Sequence, residues 1–228
     1  MKTAGIVGGL GPETTAEFYL EVNFGCQEKS GIRPPILIWN VPIPLDVEAD
    51  LIRESKGEER YLPFLIDAAK RLESGGADFL AVPCNSVHIF IEQVRSVVKI
   101  PVLSITEEAS RFLEEKGIQE VGLLATDTLL RNKIYEKQLL EKGIQQVIPD
   151  GLQQARIGKM IHRLVSSRHD NRDREELMKI VESFSEKGVK YVLLACTDLQ
   201  LLMPSHTGLE IYDSMKILAD ATVREITH

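Results

Sequence analysis

Cysteine, positive charge and long apolar runs are all scarce in this 228-residue chain, and each scarcity excludes a class of protein. The three cysteines include no C-x-x-C pair, which disfavours a disulfide framework or a zinc knuckle. Lys and Arg total 27 against 34 Asp and Glu without a basic stripe, which argues against a nucleic-acid partner. The longest apolar runs have the length of single strands, so we expect no membrane partner.

The amino terminus also lacks a targeting pattern. Met1-Lys2-Thr3 leads directly into a short apolar run at residues 4–7. A secretory signal would show a charged region, a longer apolar region and a small-residue cleavage site in succession. We therefore predict a cytoplasmic protein.

The glycine-rich segment at residues 5–14 lacks two features of nucleotide-binding motifs. Thr14 stands where the third glycine of G-x-G-x-x-G belongs, and no Gly-Lys-Ser/Thr follows for a phosphate-binding loop. The segment instead predicts a strand, a glycine turn and a helix that begins near Pro12. The backbone amides of this turn, which includes Leu10, suit a small carboxylate better than a nucleotide.

The chain does contain a regular alternation of short β-branched runs and amphipathic segments. Strands are predicted at residues 2–7, 35–40, 79–83, 102–105, 121–125, 146–148 and 191–195. Helices are predicted at residues 12–29, 57–75, 86–97, 106–116, 128–142, 152–166, 172–187 and 213–227. Continuous apolar strands between helices predict an α/β fold, with mostly parallel sheets that carry helices on both faces.

Two segments of the chain look like copies of each other in their pattern of residue types, and each ends its apolar run on a cysteine. Residues 77–86, ADFLAVPCNS, are echoed by residues 189–198, VKYVLLACTD. Cys84 and Cys196 are 112 positions apart, close to half of the chain. We therefore predict two similar lobes at residues 1–100 and 101–207. Residues 208–228 are predicted to form a terminal helix that packs back on the first lobe.

Both cysteines stand at the carboxyl end of a predicted buried strand, just before a predicted helix start. Ligands of open α/β sheets bind outside these strand ends. The amides of a following helix also lower the pKa of a thiol. A lone free cysteine is more often a small buried hydrophobe, and we assign that role to Cys26, which lacks the flanking pattern. The matched positions of Cys84 and Cys196 instead favour two thiols that face each other across a cleft.

The residues next to the two cysteines are further candidates. Short polar side chains able to cap a helix or bind a carboxylate follow each cysteine: Asn85, Ser86, Thr197 and Asp198. His88 lies four residues after Cys84, so on a helix it faces the same side. It tunes the thiol, binds the substrate, or only forms hydrogen bonds within the protein. No second histidine or carboxylate stands at ligand spacing, so a metal is not expected. Thr126, after the strand at 121–125, is either a substrate contact or a helix N-cap.

On these motifs the chain resembles the aspartate/glutamate racemase family, and most closely its aspartate racemase branch. The matching pieces are GGLGPETT at 8–15, AVPCNSVH at 81–88, GLLAT at 122–126 and ACTD at 195–198. The resemblance implies two α/β lobes related by a pseudo-twofold axis, with the active site in the cleft between them. It also implies no pyridoxal phosphate or other cofactor, no metal, a small amino-acid substrate and a homodimer.

The same resemblance implies roles for individual residues. Cys84 and Cys196 would be the catalytic thiols. The groups that would hold the substrate are Leu10, Asn85, Ser86, Thr126 and Thr197. The residues that would support or tune the thiols are Asp46, His88 and Asp198.

The chain departs from the family where aspartate racemases bind the side-chain carboxylate. They carry a Pro-Asp-Arg after the second strand, and the resemblance implies that this arginine binds the side-chain carboxylate. Here residues 43–48 read IPLDVE, without an arginine. The family carries a second cation, a lysine on a helix of the other lobe, whose position aligns near Ser166 of this chain. The candidates to replace these cations are Arg53, Arg131 and Arg168, and the sequence leaves the identity of the amino acid open.

The favoured function is a cofactor-independent amino-acid racemase. One cysteine removes the α-proton as thiolate, while the other donates a proton to the opposite face as thiol. One alternative is an isomerase or decarboxylase of a small dicarboxylic acid on the same fold, with a thiol as covalent nucleophile or single acid. Two equivalent cysteines disfavour that chemistry. The other alternative is a non-catalytic small-carboxylate binding protein, in which the missing cations mark lost activity.

Overall fold

Two four-stranded parallel sheets form the frame of the computed structural model, which describes residues 1–44, 47, 57–166, 168–203 and 208–228. The first sheet contains β1 (Ala4–Gly8), β2 (Ile36–Asn40), β3 (Phe79–Ala81) and β4 (Val102–Leu103) in the order β2-β1-β3-β4. The second contains β5 (Glu120–Ala125), β6 (Gln145–Val147), β7 (Tyr191–Ala195) and β8 (Glu210–Asp213) in the order β6-β5-β7-β8. The strand order is therefore the same in both sheets, and the predicted α/β fold of two similar lobes is confirmed.

Helices connect the strands of each sheet. Their bounds are α1 (Pro12–Ser30), α2 (Leu62–Ser74), α3 (Ile91–Arg95), α4 (Ile105–Glu115), α5 (Asp127–Arg131), α6 (Ile134–Glu141), α7 (Gly151–Val165), α8 (Asn171–Glu186) and α9 (Ser214–Thr227). Short 3₁₀ helices cover Glu58–Tyr61, Ser86–Phe90 and Leu199–Leu202. None of the helices in these described stretches is long and apolar enough to cross a membrane.

Besides the helix predicted at 57–75, which starts as a 3₁₀ turn at Glu58–Tyr61, two predicted helices differ from the structure in detail. The helix predicted at 86–97 begins as a 3₁₀ turn and becomes α-helical only at α3. The helix predicted at 128–142 is divided into α5 and α6 because Lys133 adopts a left-handed conformation with φ of 54°. Neither interruption contains the glycine or proline that marks most breaks in a sequence.

A glycine at the same position of each central strand shows how closely the two lobes correspond. Gly5 pairs with Leu80 in the first sheet, and Gly122 pairs with Val192 in the second. A Cβ atom at Gly5 would lie 2.6 Å from Leu80 Cδ2, and one at Gly122 would lie 3.1 Å from the Phe184 ring. At each of these two positions, an added methyl group would therefore require the neighbouring side chains to shift.

The lobes exchange their last helices. After β4, α4 places Ala109 and Leu113 in a core cluster with β5 and β7 residues of the second sheet. After β8, α9 places Met215 and Leu218 in a cluster with β1 and β3 residues of the first sheet. This exchange buries one helix of each lobe against the other lobe.

The predicted division at residue 100 differs from the sheets by one strand at each join. β4 follows that boundary yet belongs to the first sheet, and β8 lies in the predicted terminal segment yet belongs to the second sheet. Each sheet ends on a strand whose helix packs on the other lobe, so no single cut separates two independent units. The residues 1–100 and 101–207 therefore remain a predicted division.

Candidate active site

One pocket opens at the carboxyl ends of the central strands, and both lobes supply its wall. The wall residues from the first half of the chain are Gly9, Leu10, Gly11, Ile43, Tyr61, Cys84, Asn85, Ser86 and Val87. Those from the second half are Thr126, Asp127, Thr128, Gly158, Ile161, Val165, Cys196, Thr197 and Asp198. The parallel strands explain this position, since their carboxyl ends meet at one edge of each sheet.

The backbone of Cys84 is contacted by His88. Cys84 follows β3 by three residues, and its backbone N–H donates to the carbonyl of Val82 at 2.9 Å. The Cys84 side chain is half-buried. His88 Nδ1 lies 2.8 Å from the carbonyl oxygen of Cys84, and His88 Nε2 accepts the backbone N–H of Ile105 at 3.0 Å. That N–H is one of the donors that the start of α4 leaves without an intrahelical partner.

His88 is a neutral ring with a defined tautomer. Burial lowers its pKa to about 4, so it carries no charge near neutral pH. Because Nε2 accepts a hydrogen bond, the proton lies on Nδ1 and is donated to the Cys84 carbonyl. The ring is 2% exposed and does not line the pocket. His88 thus contacts the backbone of Cys84 and the start of α4, while its sequence-based role toward the thiol stays a prediction.

Cys196 occupies a more buried and more acidic environment. It directly follows β7 and is 5% exposed. Its Sγ donates to Asp198 Oδ2 at 3.9 Å, and Asp198 Oδ1 accepts the Thr14 hydroxyl of α1 at 3.2 Å. Burial is the largest cause that raises the pKa of Cys196 well above its usual range, and the charges of Asp198 and Cys84 add to it. Cys196 is therefore a neutral thiol near neutral pH.

Hydroxyl groups from the two lobes meet in the pocket wall. Ser86 Oγ lies 3.2 Å from Thr126 Oγ1. Thr126 also caps α5, because its hydroxyl oxygen accepts the Leu129 N–H at 3.4 Å. The two interpretations of Thr126 are thus compatible, since the cap residue also lines the pocket. Thr197, which is 3% exposed, lines the pocket beside Cys196.

Asn85 belongs to a buried chain of hydrogen bonds that joins the lobes. Its Oδ1 accepts the Tyr135 hydroxyl of α6 at 2.7 Å, and its Nδ2 donates to Ser214 Oγ at 3.0 Å. Ser214, the first residue of α9, donates in turn to the carbonyl of Leu194 in β7 at 2.7 Å. An amide nitrogen carries two hydrogens, so one Nδ2 hydrogen is left for a ligand in the pocket.

The glycine turn after β1 brings Leu10 into the wall. Gly9 and Gly11 adopt φ of 80° and 103°, a region that side chains disfavour. The Gly9 N–H donates to Thr15 Oγ1 at 3.0 Å, and the Thr15 hydroxyl donates to the Gly11 carbonyl at 2.9 Å. The predicted strand, turn and helix start therefore form this edge of the pocket.

The candidate replacement cations are not in the described wall. Arg131 on α5 donates to Glu58 Oε1 at 2.8 Å, outside the pocket. Arg168 is exposed and does not line the pocket. Asp46 and Arg53 lie outside the described residues. Across the ranges that the structure describes, the pocket wall contains no lysine or arginine and no cluster of three metal-ligating side chains.

Several wall residues were not predicted from the sequence: Ile43, Tyr61, Val87, Asp127, Thr128, Gly158, Ile161 and Val165. Only Asp127 carries a charge that bears on the choice of ligand. A sequence signal exists for it, because Asp127 directly follows Thr126 at the carboxyl end of β5. The residues of α7 offer no such signal, since their place in the wall depends on how α7 packs.

Fold and pocket together define a class of protein: two α/β lobes of one chain that each present a cysteine to a shared small-molecule pocket. A family profile described as "Asp/Glu/Hydantoin racemase" matches residues 7–222. The chain belongs to this family. Membership supports racemase activity, an isomerase reaction, on a small amino-acid substrate.

Individual relatives agree with this assignment. The chain is 28% identical over 225 residues to the broad specificity amino-acid racemase RacX of Bacillus subtilis, with 96% of each chain covered. It superposes on the aspartate racemase of Picrophilus torridus with a TM-score of 0.83 and 25% identity, covering 100% of this chain and 95% of that one. It superposes on an aspartate racemase homologue of Pyrococcus horikoshii with a TM-score of 0.80 and 25% identity, and both chains are fully covered, at 100%.

Proposed function

We propose that this protein is a cofactor-independent amino-acid racemase that inverts the α-carbon by proton transfer between Cys84 and Cys196. One observation carries the proposal. Two cysteines at equivalent strand ends, one from each lobe, line the same pocket. Inversion requires an acid–base group on each face of the α-carbon, and two symmetry-related thiols supply that arrangement.

The proton balance of the reaction follows from the two thiols. Cys84 enters as thiolate and takes the α-proton, while the neutral Cys196 thiol gives its proton to the opposite face. After the inversion, Cys84 is a thiol and Cys196 is a thiolate. This is the starting state for the reverse reaction. The pair holds one dissociable proton in total, so its titration belongs to both sulfur atoms.

The surroundings of Cys196 favour the protonated form of its thiol. Burial and the Asp198 carboxylate both oppose a thiolate there. The backbone N–H groups of Asp198 and Leu199 act in the opposite direction and stabilise the thiolate when it forms. These opposed influences keep Cys196 protonated, and so available as the acid in one direction, while the two N–H groups support its thiolate as the base in the other.

The remaining polar groups of the wall bind the substrate carboxylate in this proposal. They are the hydroxyls of Ser86, Thr126 and Thr197 and the free Nδ2 hydrogen of Asn85. When the α-proton leaves, negative charge spreads into the carboxylate, and donors fixed in a buried pocket stabilise it. General acid–base catalysis alone supplies only about 10²–10⁴-fold, so this stabilisation and the positioning of the substrate supply the rest.

The test is a chiral assay of the purified protein on a broad panel of L- and D-amino acids. We expect Cys84→Ser and Cys196→Ser each to lower racemisation by at least roughly 10³-fold, because serine is far too weak an acid and base near neutral pH. Cys26→Ser is the matched control, since Cys26 is buried in α1 away from the pocket. Full racemisation by either pocket variant would overturn the two-thiol scheme. The homodimer and the cytoplasmic location stay predictions of the sequence.

A further inference from the structure

Asp127 is a carboxylate in the pocket wall that the two-thiol reaction does not use. It is the first residue of α5, is half-buried and lines the same pocket as both cysteines. Its Oδ1 accepts Gln154 Nε2 at 2.7 Å, and the same Nε2 donates to the Ala125 carbonyl at 3.0 Å. A neutral amide therefore fixes the orientation of the carboxylate without cancelling its charge.

The second oxygen of Asp127 faces a gap left by a glycine. A Cβ atom on Gly158 of α7 would lie 3.7 Å from Asp127 Oδ2 and, apart from its chain neighbours and the backbone of α7, would meet no other atom within 4 Å. Ile161 and Val165 follow Gly158 at helical spacing on the same face of α7, and they also line the pocket. The apolar wall formed by Ile161 and Val165 therefore lies next to the space between Gly158 and Asp127 Oδ2.

No cation balances this carboxylate within the ranges that the structure describes. No lysine or arginine lines the pocket there, and no ion pair of the described residues includes Asp127. A buried or half-buried charge is costly unless a partner compensates it. The other carboxylate of the wall, Asp198, already receives the Thr14 hydroxyl and the Cys196 thiol. Asp127 is therefore the acidic group available to a ligand.

We propose that Asp127 selects amino acids whose side chain ends in a positive charge, such as lysine and ornithine. The methylene groups lie along Ile161 and Val165, and the terminal ammonium donates to Asp127 Oδ2 in the space beside Gly158. This inference rests on the proposed racemase function, because it places the α-carbon between the two thiols. An aspartate or glutamate side chain would instead bring a further negative charge to a wall that already has two carboxylates.

The experiment compares racemisation of L-lysine with that of L-norleucine, which has the same carbon skeleton without the terminal amine. We expect the wild-type kcat/KM for lysine to exceed that for norleucine by about tenfold or more, as for a hydrogen bond between charged groups. Asp127→Asn retains the size of the side chain and should remove most of this preference. Gly158→Ala, which fills the gap without a clash, should lower the preference without changing any charge.

Glu141→Gln is the matched control, because it removes one negative charge from an exposed position at the end of α6. It should retain the full preference for lysine. Equal or faster racemisation of norleucine by the wild type would overturn the inference while the racemase function stands. An equal loss on both substrates in Asp127→Asn would also overturn it, because Asp127 would then act on the α-carbon groups that they share. Failure to racemise any amino acid would overturn the racemase function as well.

Discussion

The two lobes present a cysteine at the same structural position but surround it differently. Cys84 is half-buried, and the residue four positions later is His88, whose ring is neutral. Cys196 is 5% exposed, and the residue four positions later is Gln200, which donates to Glu17 of α1 at 2.7 Å. The positions two residues after the cysteines are Ser86 and Asp198. Equivalent positions of the two lobes thus carry one cysteine whose backbone contacts a neutral histidine and one cysteine beside a carboxylate.

This difference bears on the proposed mechanism, in which the two thiols hold opposite protonation states at any moment. Identical surroundings would give each sulfur the same preference for its proton. The Asp198 carboxylate and deeper burial raise the pKa of Cys196, which favours the proton on that side. In the proposed mechanism, the duplicated strand ends provide one thiol for each face of the α-carbon, and the different neighbouring residues give the two thiols different proton affinities.

The largest expected effect comes from removing one thiol at a time. Cys84→Ser and Cys196→Ser should both lose racemisation yet retain opposite half-reactions, because the remaining thiol still reaches one face of the α-carbon. In deuterated water, one variant should exchange the α-proton of the L-enantiomer only, and the other that of the D-enantiomer only. Mass spectrometry of each enantiomer measures this exchange. Exchange of the same enantiomer by both variants would show that the thiols do not serve opposite faces.

The next effect concerns His88, for which the second lobe has no counterpart. Burial holds the pKa of folded His88 at about 4, below its usual 6.5, so the unfolded chain binds an extra proton between these pH values. The contribution of His88 to stability is therefore complete above about pH 6.5 and is lost as the pH falls toward 4, whereas Asp213, whose pKa burial raises to about 7, acts in the opposite direction. The His88 contribution corresponds to roughly 3 kcal/mol. Urea unfolding of the wild type and of His88→Gln, each at pH 7 and at pH 4.5, isolates it.

His88→Gln should remove much of this pH dependence, because a neutral amide replaces the group that takes up the proton. His228→Gln is the control, since His228 is exposed at the end of α9. It should leave the pH dependence of unfolding as in the wild type. An unchanged pH dependence in His88→Gln would contradict the assigned neutral, buried state of the ring.

The smallest effect is expected from equalising the charges beside the two thiols. Asp198→Asn removes a charge that raises the pKa of Cys196, so that pKa should fall, although burial still holds it above its usual range. Cys196 acts as an acid only while protonated. The alkaline limb of the rate profile should therefore move to lower pH in the direction that uses this proton. Initial rates from each enantiomer across the pH range test this, and coincident wild-type and variant profiles would contradict it.

Much of the site was readable from the sequence because its signals are local. Cys84 and Cys196 stand beside apolar runs whose length and composition define strands, and the strand ends define where ligands bind. Leu10, Ser86, Thr126 and Thr197 line the pocket for the same reason. Asp46 and Arg53 lie outside the described residues, so their roles stay predictions.

Other features depend on residues far apart in the chain. The contact between Tyr135 and Asn85 spans 50 positions, and the one between Asn85 and Ser214 spans 129. The packing of α4 on the second lobe leaves no local pattern, since this helix has an ordinary apolar face. The position of Gly158 beside Asp127 likewise follows from the way α7 packs on the second sheet.

The sequence by itself determined the α/β class, the duplication and the two cysteines, because strand periodicity and strand-end chemistry are encoded within about ten neighbouring residues. Only the tertiary structure decided which charges share the pocket with those cysteines. Tertiary packing sets burial, and burial sets both the proton affinity of Cys196 and the availability of Asp127. A linear pattern lists these groups but does not say which of them are removed from water together.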